Sequence, residues 1–118
     1  MKRDWDVIRM VLSEVEELSA KNFESITYEV SEDETSKSEH AFLLWQAGFI
    51  QGIDASTMDG ACVLAQGLTW SGHEILDTIR SQPLWEKIKS TAFEKGIELT
   101  FESVRAIGSV ALRSVLGS

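Results

Sequence analysis

One stretch of this sequence combines a helix pattern that stops at a glycine with a strand pattern that follows it directly, and this junction limits the folds that the chain can adopt. Residues 36–50 read SKSEHAFLLWQAGFI, in which apolar residues recur at helical spacing before Gly48, and Phe49 opens a second apolar run. Glycine adopts the left-handed conformation that ends many helices. The pattern therefore predicts a helix that ends at Gly48 and leads into a strand. Its inward residues are predicted to be Ala41, Leu44 and Ala47, with Leu43 beside them.

Two elements are predicted before this helix. The segment DWDVIRMVLSEVEELSA carries an apolar stripe at the spacing of an amphipathic helix, with Asp4 as its N-cap. The stripe comprises Trp5, Ile8, Val11, Leu12, Val15 and Leu18. In FESITYEV, Ile26, Tyr28 and Val30 alternate with polar residues, which favours a short strand. The acidic segment 31–36 that follows is interpreted as a loop or one polar helical turn.

The residues after Gly48 predict a hairpin and then helices. FIQGI and ACVLAQGLT are separated by DASTMDG, which favours a tight reversal with a flexible tip. Thr69 or Ser71 caps the next helix, and Ser71 has the spacing to Glu74 of a capping box. Pro83 suits the first turn of a helix that ends at Gly96. Thr100 then caps a terminal helix with an apolar stripe of Phe101, Val104, Ile107, Ala111 and Val115.

The element order indicates an α+β fold that is mostly α. Helix, short strand, helix and β-hairpin, followed by a C-terminal helical extension, form a winged-helix-like order, in which the early strand pairs with the hairpin. A chain of 118 residues suits one core. We therefore expect a single domain over 1–118, with a winged-helix-like core at 1–70 and a helical extension at 71–118.

The charge pattern disfavours nucleic acid as a partner. The formal net charge is -8, and the segment from Ser38 to Ile79 contains no Lys or Arg, although it contains five acidic residues. Affinity for duplex DNA comes largely from Lys and Arg that displace counterions from phosphates. Apart from Lys37, the predicted helix and hairpin thus lack the basic residues that would contact DNA phosphates.

Catalytic, cofactor and metal sites are not predicted, and we expect no enzyme. The single cysteine, Cys62, is best interpreted as a buried core residue, and His40 and His73 lie in no metal-ligand spacing and suit capping or packing. Glu74 and Asp77 could imitate an acid/base pair, but a solvated face is the better interpretation.

No apolar run approaches the roughly 18 residues of a membrane span, so a cytoplasmic location is expected.

Two motifs carry a family resemblance. SEHAFLLWQAGFI resembles the end of the recognition helix in metal-sensing winged-helix repressors, and GLTWSGHEIL resembles the segment after their wing, as in multidrug-resistance repressors. Together with MKRDWDVIR, AGFI and LTWSGHEILD, they closely resemble an uncharacterised family of small bacterial and phage proteins, domain of unknown function 2513. The resemblance covers nearly the whole chain. It implies a winged-helix-like fold and a phage or mobile-element setting, without implying a mechanism.

The same resemblance indicates where a partner would bind. The candidate interaction face on the helix before Gly48 comprises Ser36, Lys37, Ser38, Glu39, His40, Phe42 and Trp45. Ser38 and His40 could donate to base edges, whereas exposed aromatics favour protein contacts, unless the terminal helices cover them. The leading hypothesis is an unknown protein partner, with a homodimer through the C-terminal helix. The alternative is a DNA-binding transcriptional regulator whose basic patch comes from MKR and the helices after Pro83.

Overall fold

The computed structural model describes residues 3–18, 22–30 and 35–116, without the side chains of residues 35 and 114–116. Five helices and three strands occur in these residues. In chain order they are α1 (Trp5–Glu16), β1 (Ile26–Glu29), α2 (Thr35–Gln46), β2 (Ile50–Asp54), β3 (Cys62–Leu68), α3 (Trp70–Ile79), α4 (Gln82–Lys95) and α5 (Phe101–Leu116). Most of the predicted segment 31–36 lies outside the described residues, but Thr35 and Ser36 already belong to α2.

The three strands form one antiparallel sheet in the order β1-β3-β2. Tyr28 pairs with Val63, and Ile53 pairs with Leu64. The early strand thus adds to the outer side of the hairpin, and α1 and α2 both contact the sheet. This confirms the predicted fold class, an α+β, mostly α, winged-helix-like arrangement with further helices after the hairpin.

Local capping chemistry explains where the helices begin and end. The Asp4 carboxylate accepts a hydrogen bond from Asp6 N at 2.9 Å and caps α1 as predicted. The Thr100 hydroxyl accepts one from Ser103 N at 3.1 Å and opens α5. Gly96 ends α4 with φ 65°, a left-handed conformation that suits glycine. These three predicted boundaries are confirmed, because each depends on residues within one helical turn.

Between the two predicted caps of α3, the structure selects Thr69. Its Oγ1 accepts a hydrogen bond from Gly72 N at 3.1 Å, so the helix begins at Trp70. Ser71 lies inside the helix, and the capping-box interpretation of Ser71 and Glu74 is wrong, since the chain has already turned helical one residue earlier.

A backbone latch joins the end of α2 to the start of α3, and both halves come from the motifs that carried the resemblance. Thr69 Oγ1 donates to Gly48 O at 2.6 Å, and Thr69 N donates to Phe49 O at 3.1 Å. A Cβ on Gly72 would lie 2.0 Å from Phe49 O. Helix α3 can therefore begin this close to the Phe49 carbonyl only with glycine at position 72. We call the contacts of Gly48, Phe49, Thr69 and Gly72 the hairpin latch.

The chain divides into two compact units, Met1–His73 and Glu74–Ser118, and the division falls inside α3. In unit 1 the predicted stripe of α1 is buried at Ile8, Val11, Leu12 and Val15. Cys62 is buried on β3, which confirms its interpretation as a core residue, and burial raises the pKa of its thiol. The expected single domain, with its division near residue 70, stays a prediction.

Unit 2 has its own buried residues. They are Ile75, Leu76, Ile79, Trp85, Ile88, Ala92, Val104, Ile107 and Ala111. Gly108 belongs to this packing, because a Cβ there would lie 2.5 Å from Thr78 Cγ2. Phe93 on α4 is exposed.

Candidate protein-interaction surface

Helix α2 faces the core with a stripe that differs from the predicted one. Ala41 and Leu44 are buried as expected, but Leu43 is 42% exposed and Ala47 is also exposed. The inward position of Ala47 was therefore predicted wrongly, since α2 ends at Gln46 and Ala47 lies in the following turn. The buried stripe instead includes His40, which is only 2% exposed.

His40 connects α2 to the beginning of α1. Its Nε2 accepts a hydrogen bond from the backbone N–H of Asp4 at 2.8 Å, and its Nδ1 lies against the carbonyl of Ser36. A backbone N–H can only donate, so Nε2 is unprotonated and Nδ1 carries the proton that it donates to Ser36 O. The prediction that His40 belongs to the outward interaction face is wrong, because its side chain is buried, and the alternative packing role is confirmed.

Lys37, the one cation of α2, forms an ion pair with Glu14 of α1. The other oxygen of the Glu14 carboxylate accepts a hydrogen bond from the Tyr28 hydroxyl at 3.2 Å. Burial, followed by the charge of Glu14, raises the pKa of Tyr28, so the phenol remains a donor. The three side chains join α1, β1 and α2. Lys37, the residue that the sequence offered for a phosphate contact, is therefore already paired with a carboxylate.

Phe42 and Trp45 are half-buried on α2 and contact each other, with ring centroids 5.4 Å apart. The indole N–H of Trp45 donates to Gly52 O on β2 at 3.3 Å. A Cβ on Gly52 would lie 2.8 Å from Leu64 O. Trp45 is thus fixed against the hairpin, and Phe42 packs against its ring.

A shallow apolar depression lies beside Phe42. Its volume is about 370 Å³, and its apolar lining comes from α2, the residue after β1 and the residue before β3. The lining residues are Val30, Phe42, Leu43 and Ala61, with Arg3 and Glu39 as its charged members. We call this surface the α2 depression. It combines an apolar floor with one positive and one negative side chain.

The structure brings only part of the predicted face together. Glu39 and Phe42 belong to the α2 depression, whereas Trp45 is held by Gly52. Ser36 is exposed, and Ser38 is half-buried. Sequence reasoning missed Leu43 as a surface residue because it assigned this side chain to the edge of the core. Its position next to the buried Leu44 on the helix could have indicated a partly exposed apolar residue. Val30, Ala61 and Arg3 gave no comparable signal.

The hairpin tip is closed by its own hydrogen bonds. Ser56 Oγ accepts from Cys62 N at 2.9 Å, and Asp54 Oδ1 accepts from Ser56 N at 2.9 Å. Hydrogen bonds from the side chain and the backbone of Ser56 lower the pKa of Asp54, which favours its ionised form. Met58 at the tip is fully exposed. Since residues 50–68 contain no Lys or Arg, the tip presents oxygen and thioether groups without a cation.

The residues considered for acid/base chemistry are engaged in surface ion pairs. Asp77 lies 3.0 Å from Arg80, and Glu74 lies 3.9 Å from Arg105. His73 is exposed. Within residues 3–18, 22–30 and 35–116, no group of three or more His, Cys, Asp or Glu side chains could hold a metal ion.

The apolar stripe of α5, on which a homodimer was predicted, is used inside unit 2. Val104, Ile107 and Ala111 are buried, and α5 contacts α4. Val115 lies outside the described side chains. The stripe therefore cannot provide the predicted contact as it stands, because its described members already pack within one chain. The opposite side of α5 remains exposed, including Val110 at 66% and Leu112 at 46%.

These features define an α+β, winged-helix-like protein whose α2 surface is apolar with mixed charge. The chain belongs to the family described as "Hypothetical protein (DUF2513)", which matches residues 2–98. It is also 32% identical over 117 residues to a protein of Haemophilus influenzae described as "Uncharacterized protein", covering 98% of this chain and 99% of that relative. No solved structure matches the chain. Among the described residues, no helix is long and apolar enough to cross a membrane.

Proposed function

We propose that this protein acts by binding another protein, and that the α2 depression receives an apolar side chain of that partner. The observation that carries the proposal is the composition of the surface: Phe42 and Leu43 lie where a DNA reader would present polar and basic groups. Interface energy concentrates in a few apolar or aromatic anchors that fill pockets. Leu43, at 42% exposed, can still lose surface to such an anchor.

The charged side chains of the depression narrow the partner's chemistry. Arg3 and Glu39 lie on the same surface, so an anchor flanked by one carboxylate and one cation would find an opposite charge for each. Complementary charges of this kind fix the register of a contact more than they add affinity. The proposed partner segment therefore carries one large apolar residue between charges of opposite sign.

The electrostatic pattern weighs against a DNA-binding regulator. Lys37 is paired with Glu14, and no Lys or Arg follows it until Arg80. The alternative basic patch was to come from MKR and the helices after Pro83; Lys2 lies outside the described residues, and Lys89 is paired with Glu86.

A homodimer through the C-terminal helix is the second contact that we propose. Its support is the exposed outer side of α5, with Val110 and Leu112, rather than the buried stripe. The cytoplasmic location and the phage or mobile-element setting stay predictions.

A peptide display library selected on the intact protein tests the α2 depression. The selected peptides should carry an apolar anchor, and Leu43→Asp should weaken their binding about tenfold or more, because a carboxylate would then occupy an apolar contact. Gln46→Asp adds the same charge to an exposed position of the same helix and should leave binding unchanged. Peptides that bind both variants like the wild type would place the contact elsewhere and contradict the proposal.

A further inference from the structure

The exposed side of α5 carries a charge pattern that is complementary to itself. Glu102, Ala106, Ser109 and Arg113 are all exposed and recur at i, i+4, i+7 and i+11. At 3.6 residues per turn these positions form one straight line along the helix, opposite the buried residues Val104, Ile107 and Ala111. We call this line the α5 ridge. It begins with a carboxylate, ends with a guanidinium and has two small residues between them.

A twofold axis midway between residues 107 and 108 maps the α5 ridge onto itself. It places Glu102 opposite Arg113 of a second copy, and Ala106 opposite Ser109. Two closed ion pairs then flank a centre made of small side chains. A parallel arrangement would instead oppose Glu102 with Glu102 and Arg113 with Arg113, which is repulsive at both ends.

We propose that two copies of this protein associate through antiparallel α5 ridges, with reciprocal Glu102–Arg113 ion pairs at the two ends of the contact. The inference rests on the proposed homodimer and specifies its face and its register. Small residues at the crossing allow helix axes to approach within about 8 Å. Neither Glu102 nor Arg113 forms an ion pair within the described part of the chain, so both charges are available to a second copy.

The neighbouring residues fit the same arrangement. Val110 flanks the ridge and is 66% exposed, so the contact would also cover an apolar side chain. A single pair of helices buries less than a standard protein interface, which indicates a dissociation constant on the order of micromolar or weaker. The dimer should therefore form and separate with protein concentration.

Sedimentation velocity on the full chain, from about 1 to about 500 µM, tests the proposal. The wild type should shift from monomer to dimer over this range. Glu102→Arg and Arg113→Glu should each weaken the dimer about tenfold or more, because each variant makes both terminal pairs like-charged. The double variant, which exchanges the two charges, should associate like the wild type.

Mixing the two single variants gives the sharpest result. Each variant repels itself, but a heterodimer of the two has opposite charges at both ends, so the mixture should associate when neither component does. Glu94→Arg is the matched control: it makes the same charge change at an exposed position of α4 and should leave association unchanged. Circular dichroism of each variant separates loss of association from loss of folding.

The outcomes distinguish the register from the dimer itself. A wild type that stays monomeric at the highest concentration overturns both the proposed homodimer and its register. A wild type that dimerises but ignores both single reversals overturns the register alone. Loss of association in the double variant overturns the antiparallel pairing, provided that this variant remains folded.

Discussion

At the scale of single residues, Gly72 shows how a short motif acquires a physical reason. The Leu-Thr-Trp-Ser-Gly segment is visible in the sequence, but nothing local requires glycine at its last position. The requirement arises from Phe49, 23 positions earlier, whose carbonyl oxygen occupies the space that a Cβ would need. Sequence reasoning could identify the motif and could not explain it, because the close approach exists only after the hairpin has folded.

Gly72→Ala should therefore destabilise the protein strongly. The new Cβ would lie 2.0 Å from a backbone oxygen that cannot rotate away, so the latch must open or the helix must shift. We expect the free energy of unfolding to fall by about 3 kcal/mol, measured from urea denaturation curves. Gly67→Ala is the control, since a Cβ at Gly67 meets nothing within 4 Å. Equal midpoints for the two variants would show that the latch is not rigid.

At the scale of elements, α2 separates what is local from what is not. The end of the helix near Gly48 was predictable because a left-handed glycine is local chemistry, and Gly48 indeed has φ 87°. The direction of the inner face of α2 was not predictable, because hydrophobicity alone assigned Ala47 to the inner face and His40 to the outer face. His40 is drawn inward by a hydrogen bond to Asp4, which lies 36 residues away in the chain.

The two histidines of the chain provide a matched pair of substitutions at this scale. His40→Ala removes the acceptor of the Asp4 N–H and leaves a cavity between α1 and α2, so stability should fall by about 2–3 kcal/mol. His73→Ala changes an exposed side chain and should cost less than about 0.5 kcal/mol. Thermal unfolding of both variants measures the difference. A His40→Ala variant as stable as His73→Ala would exclude a bridging role for His40.

At the scale of the whole molecule, the distribution of charge was predictable and the shape of the surface was not. The sequence shows directly that residues 38–79 contain no Lys or Arg. The structure adds that Lys37, just before this segment, is paired with Glu14. The α2 depression could not be predicted, because Arg3, Val30 and Ala61 come from separate segments that only the fold brings together. Composition thus limits the class of partner, while tertiary structure gives the site.

This charge distribution predicts weak or absent binding to duplex DNA. In a fluorescence polarisation titration with a labelled duplex of about 30 base pairs at about 50 mM salt, we expect no saturation below about 10 µM protein. Lys37→Glu should lower stability through the loss of the Glu14 pair and leave the DNA titration unchanged. Binding that is tighter than this and falls steeply with added salt would instead identify a basic surface and favour a regulator.

The hairpin latch also holds together the two ends of the hairpin, so that the segment between them is a loop closed at its base. Because Thr69 returns to Gly48 and Phe49, the two ends of the hairpin are joined whatever the length of its tip, and lengthening a closed loop costs little entropy. Met58 is fully exposed at that tip. An epitope or a fluorescent reporter inserted after Met58 would replace no residue of the α2 depression or of the α5 ridge, and it would provide a label for following this protein while its partners are identified.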